Sequence, residues 1–181
     1  PVPGETRQQG LMDPGFGTLF TDHMVVIDYD ADLGGWHKAT LGPREPISLD
    51  PAAAVLHYAQ EIFEGMKAYK REDGTLALFR PEQNARRFNE SARRMAMPDL
   101  PEELFLESIR QLVAKDRDWM PTVEGGSLYL RPFMFATEAF LGVLHAPRMS
   151  YFVPGEIWGN SSPAGASWGT ASWPGRGLID L

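Results

Sequence analysis

The strongest constraint on the fold is a change of hydrophobic period between Leu56 and Arg94. Met66 to Lys70 is short and partly aromatic, Glu72-Asp73-Gly74 supplies a tight turn, and Thr75 to Phe79 alternates as a half-buried strand does. Arg80 ends that strand, and Pro81 opens a helix at the position where its missing N–H costs nothing. Along the helix Ala85, Phe88, Ala92 and Met95 recur at spacings of three and four and make one apolar face. Arg86, Arg87, Arg93 and Arg94 point elsewhere and, interleaved with Glu82 and Glu90, read as a solvated face. A hairpin followed by an amphipathic helix needs a sheet for that helix to cover.

The rest of the chain supplies the partners. His23 to Tyr29 is a strand with Val25 and Ile27 on one face, and residues 30–45, rich in Gly and Asp, read as loop. Asp50 is a good N-cap for a short helix with Pro51 at its first position. Pro101 opens a second long helix to about Asp116, whose buried stripe is Phe105, Ile109, Leu112 and Val113; Gly125-Gly126 then turns the chain into one strand over 127–137. The fold class expected is α+β, an antiparallel sheet with the two main helices on one face, and the strands at 23–29, 66–79 and 127–137 joined in that sheet. Residues 1–20 read as an irregular arm, 21–144 as a small α+β domain, and 145–181 as a Gly/Pro/Ser/Trp-rich linker or tail. Residues 154–177 hold six Gly, three Pro, four Ser and three Trp with no helix or strand period, so poor packing is expected there.

Charge and composition exclude several function classes. With 17 basic and 24 acidic residues the net charge is −7, which disfavours a nucleic-acid partner held through phosphates. Cysteine is absent, so disulfides and thiolate metal sites are excluded, and the four His show no metal-ligand spacing. No run approaches a membrane span, and the opening residues lack the basic and apolar zones of a signal peptide, so a cytoplasmic location and no membrane partner are expected.

Arg80 and Arg131 are the residues with the most chemistry in them. A cation fixed where a strand meets a helix can hold a phosphate, although the residues alone favour an ordinary ion pair for Arg80 at the strand edge. Arg131 lies in an otherwise apolar strand and must reach a partner, a ligand or solvent, because burying an unpaired guanidinium is costly.

The runs QEIFEGMKAYK, LFRPEQNARRFNESARR, DRDW and SLYLRPF resemble the branched-chain amino acid aminotransferases, fold-type IV enzymes that use pyridoxal 5'-phosphate (PLP). The likeness runs from about Thr21 to Val143 and corresponds to that family's N-terminal small domain. It implies PLP as cofactor, with Arg80 as its phosphate-binding arginine. It implies that Tyr58, Phe63, Gly65 and Tyr129 line a substrate pocket, and that Arg131 meets the distal carboxylate of glutamate there. Leu141 and Val143 match a loop that closes the neighbouring subunit's site in a homodimer. The reaction implied exchanges an amino group between leucine, isoleucine or valine and 2-oxoglutarate. The Schiff-base lysine belongs to the family's second domain and matches none of Lys38, Lys67, Lys70 and Lys115, so no catalytic residue is assigned here and this polypeptide, truncated relative to that pattern, is expected to be inactive alone. A non-catalytic dimerisation domain or inactive fragment is the alternative; a relative of D-amino acid transaminase or aminodeoxychorismate lyase is a further one.

Overall fold

The computed structural model describes residues 2–12, 15, 17–121, 123, 125–142, 147–158 and 178–180. In chain order these form α1 (Gly4–Met12), β1 (Phe20–Asp30), β2 (Gly35–Pro43), α2 (Ala54–Tyr58), β3 (Glu61–Phe63), β4 (Met66–Lys70), β5 (Leu76–Phe79), α3 (Pro81–Arg94), α4 (Glu102–Lys115), β6 (Ser127–Leu130), β7 (Phe133–Ala136), β8 (Arg148–Trp158) and β9 (Leu178–Asp180). All nine described strands join one sheet in the order β2-β1-β8-β6-β4-β5-β9, with β3 paired to β7 and β7 to β8, and each of these pairings is antiparallel. The α+β class and the single sheet expected from the sequence are what the chain forms.

Alternation sorts the sheet into two faces. Met66, Ala68, Leu78, Leu128, Leu130, Tyr151, Val153 and Ile157 point to the face covered by α3 and α4, where they meet Ala85, Phe88, Ala92, Phe105, Ile109, Leu112 and Val113 in one core. Its centre is aromatic: Phe88 lies 5.5 Å from Phe105 and 5.6 Å from Tyr151, centroid to centroid. The Tyr151 hydroxyl, wholly buried, lies 3.1 Å from Ser108 Oγ, which satisfies the polar end of an otherwise apolar side chain. Burial pushes its phenol far above the usual tyrosine range. On the opposite face Phe133, Phe135 and Phe152 stack at 5.2–5.9 Å.

Several boundaries differ from the sequence-based expectation. Gly4–Met12 is a helix, not part of an irregular arm. The stretch read as loop after Tyr29 makes a tight turn over Ala31–Leu33 and returns as β2, an edge strand paired with β1. The short helix begins at Ala54, because Asp50 caps a turn by accepting from Ala52 N at 2.7 Å.

The strand expected over 127–137 is two strands, broken at Arg131-Pro132, where proline has no N–H to donate. Most consequential, residues 148–158 are strand at the centre of the sheet and not tail. β8 pairs with β7 through Phe152 and with β6 from Gly155, so Pro154 falls at the switch between partners, where no N–H is needed. Residues 159–177 lie outside the described residues, and with them the expected poor packing of most of the tail.

Candidate functional site

The break at Arg131-Pro132 builds the site. Leaving the ladder after Leu130, Arg131 gives its backbone N–H to Pro154 O at 3.3 Å, and its side chain reaches across the face away from the long helices. There its Nε donates to the Tyr129 hydroxyl at 2.9 Å, and the guanidinium lies 4.6 Å from the Phe63 ring centroid and 5.2 Å from that of Tyr129. Such cation–π contacts are each worth about 0.5–2 kcal/mol. Phe63 ends β3 and is 63% exposed, so its ring forms an open wall and not a core contact.

Gly65 completes the wall. A Cβ at this position would run into the Tyr129 hydroxyl and approach Tyr129 Cζ to 3.1 Å. Only a residue without a side chain allows the turn so close to the phenol.

Pairing extends this group into a row. Lys67 of β4 and Glu156 of β8 stand directly opposite Tyr129 on β6, on its two sides, and alternation puts all three on one face. Burial lowers the Lys67 ammonium below the usual lysine range. Burial raises the Tyr129 phenol, while the Arg131 charge and hydrogen bond pull it back.

Arg80 occupies the junction between β5 and α3, as N-cap in the left-handed region at φ 45° and ψ 52°. Its guanidinium lies 5.2 Å from the ring centroid of Phe79, a residue that alternates with the core-facing Leu78 and therefore belongs to the same face as Tyr129. A non-glycine residue held in that backbone region costs of order 1–3 kcal/mol, so the surrounding structure imposes it.

The structure thus gathers Phe63, Gly65, Tyr129 and Arg131, with Arg80 displayed on the same sheet face. Tyr58 ends α2, 44% exposed, with its ring beside His57, and shares no described contact with the Arg131 group. Leu141 is 65% exposed beyond the Ala53–Ala139 bridge, and Val143 lies outside the described residues. Among the described residues no cluster of His, Asp and Glu could hold a metal ion, and no helix is long and apolar enough to cross a membrane.

Sequence reasoning missed Glu64 and Asn84. The Glu64 carboxylate accepts from Arg87 Nε at 2.9 Å, Arg87 Nη2 at 2.8 Å and Asn84 Nδ2 at 2.8 Å. The arginine face of α3 is solvated as expected and is also paired: Arg87 with Glu64, Arg93 with Asp99 at 2.6 Å and Arg86 with Glu102 at 3.6 Å. The available signal was the Asn84/Arg87 spacing of three, which presents both donors on one flank of the helix.

No family model matches the chain. It is 53% identical over 167 residues to the branched-chain-amino-acid aminotransferase of Mycolicibacterium smegmatis, covering 92% of this chain and 44% of that protein. It is 56% identical over 128 residues to branched-chain-amino-acid aminotransferase 2 of Bacillus subtilis, covering 71% and 35% respectively. The chain thus spans less than half the length of these curated relatives. Among solved structures, the branched-chain aminotransferase of the thermophilic archaeon Thermoproteus uzoniensis with norvaline superposes with a TM-score of 0.58 at 19% identity, over 76% of this chain and 41% of that one. The Escherichia coli branched-chain amino acid aminotransferase gives 0.56 at 17%, over 76% and 41%. At these identities the structural likeness establishes the fold alone, and that fold is type IV. Sequence over 92% of its length and architecture together place the chain with the N-terminal portion of the branched-chain-amino-acid aminotransferase family.

Proposed function

We propose that this chain supplies the small-domain side of an aminotransferase site that exchanges an amino group between leucine, isoleucine or valine and 2-oxoglutarate, with PLP as cofactor. The observation that carries this reading is Arg131 bracketed by the Phe63 ring and the Tyr129 hydroxyl on an open face. One wall then serves two kinds of substrate. The exposed Phe63 ring gives a branched aliphatic side chain an apolar surface, and Gly65 lets the Tyr129 phenol close up against that wall. When glutamate occupies the same space, the terminal nitrogens of Arg131 meet its distal carboxylate while Nε donates to the Tyr129 hydroxyl.

The residues present fit the cofactor's phosphate. Arg80 is exposed, fixed at a strand–helix junction and on the same face as the substrate wall, as a phosphate anchor must be. PLP, when bound, supplies the electron sink that amino-group transfer requires. Arg80 would hold its phosphate end, and Phe63, Tyr129 and Arg131 would hold and orient the substrate side chain. The relatives, named for branched-chain amino acids, guide the substrate class within this reading. A cytoplasmic homodimer is the proposed setting, in which exposed Leu141, with Val143, closes the neighbouring subunit's site.

The reading assigns the lysine that joins the cofactor to none of Lys38, Lys67, Lys70 and Lys115. The 181-residue polypeptide, given PLP, leucine and 2-oxoglutarate, is therefore expected to form no glutamate. Borohydride is expected to fix cofactor at no unique lysine. Labelling of a single lysine, with turnover abolished by Arg80→Ala, would overturn the division of labour proposed here.

A further inference from the structure

We propose that Glu64 is a positioning residue for this site: it holds the Phe63–Gly65 wall against Arg131 and ties that wall to the helix carrying Arg80. The proposal rests on the functional reading above. Glu64 lies between the two residues that form the wall, and its side chain is 10% exposed. A carboxylate so enclosed needs directional partners, and it has three N–H donors, two from Arg87 and one from Asn84. Asn84 is buried and also reaches the Gly65 carbonyl at 3.2 Å, so one amide grips the wall through both its side chain and its backbone. Burial of Asn84 makes this junction rigid, because withdrawing either partner would leave its amide unpaired away from water.

The other end of the strut is the strand break. Glu64 N donates to Pro132 O at 2.8 Å, one residue from Arg131. The two arginines proposed to meet anions are thus joined through one residue: Arg131 by way of Pro132 and the Glu64 backbone, Arg80 by way of α3 and the Glu64 carboxylate. Apolar packing anchors Ile62 and Met66 on either side, but Phe63 between them is largely exposed and leaves the orientation of the turn to polar contacts. Charge-assisted bonds of defined direction fix the orientation of the turn where hydrophobic contact would leave it free to rock.

Hydrogen exchange at the Arg131 Nε–H, followed by nuclear magnetic resonance on the 181-residue chain, tests the strut without any ligand. That proton is protected by its bond to Tyr129 for as long as the wall stays in place. Glu64→Gln and Asn84→Ala are each expected to speed its exchange by about tenfold or more, and the double variant by little more than the stronger single one. Arg93→Met, also on α3, breaks a more exposed ion pair with Asp99 of the loop that follows and is expected to leave the exchange rate within about twofold. Lower thermal midpoints for Glu64→Gln and Asn84→Ala with unchanged exchange at Arg131 would overturn the proposal, as would an equal effect from Arg93→Met. If Glu64→Gln fails to fold, Asn84→Ala against Arg93→Met decides the matter. Failure of carboxylate binding at Arg131 would count against the aminotransferase reading and leave the strut standing.

Discussion

Phe88→Ala is expected to lower the unfolding free energy by about 3–5 kcal/mol. Phe88 has no solvent exposure and joins the two layers of the domain, contacting Phe105 of α4 and Tyr151 of the central strand. Its neighbours cannot close the gap, because Tyr151 is held by Ser108 and Ser108 in turn donates to Phe105 O at 2.7 Å. The loss is that of the buried ring plus the cavity left behind. Urea unfolding followed by far-ultraviolet circular dichroism measures it. A change below about 1.5 kcal/mol would mean that α3 is not packed on the sheet as described.

Gly65→Ala is expected to cost about 1–3 kcal/mol and to displace the Tyr129 hydroxyl from Arg131. The backbone at Gly65 does not require a positive φ, so the penalty comes from the phenol that a methyl group would strike. Tyr129 is itself 8% exposed and sits between β4 and β8, which leaves it little room to yield. Removing the obstacle should therefore relieve the strain. In a Tyr129→Phe background the cost of Gly65→Ala is expected to fall by at least about 0.5 kcal/mol, read from a double-mutant cycle in urea. Strictly additive losses would place the glycine and the phenol apart.

The parts legible in the sequence are those where one local signal governs the outcome. Helix α3 begins at Pro81 because proline suits a first helical position, and its Phe88 stripe finds the sheet that the hairpin before it implies. Strands whose character comes from their neighbours are less legible. β2 is half exposed and enters through two glycines, so nothing in its own residues shows that β1 will pair with it. β8 carries Pro154 and Gly155, which read as breakers in isolation. They are tolerated because the strand changes partner there, and because β1 shifts register between Phe20 and Met24 opposite them. At the site, the unusual position of Arg131 in an apolar run was visible, and the structure gives it the partners that such a residue needs. Glu64 was not, since its importance depends on two donors twenty or more residues away on α3.

Arg131, held between Phe63 and Tyr129, is the anion receptor proposed for this face, and titrating the isotopically labelled chain with glutarate tests that proposal most directly. Glutarate carries the distal carboxylate of a glutamate without needing the cofactor. It is expected to shift the Arg131 Nε–H and the Gly65 amide together, with a dissociation constant on the order of millimolar for an open, hydrated face. Arg131→Met is expected to abolish the shift at Gly65. Shifts spread evenly over the arginines of α3, or a Gly65 response that survives Arg131→Met, would contradict the site.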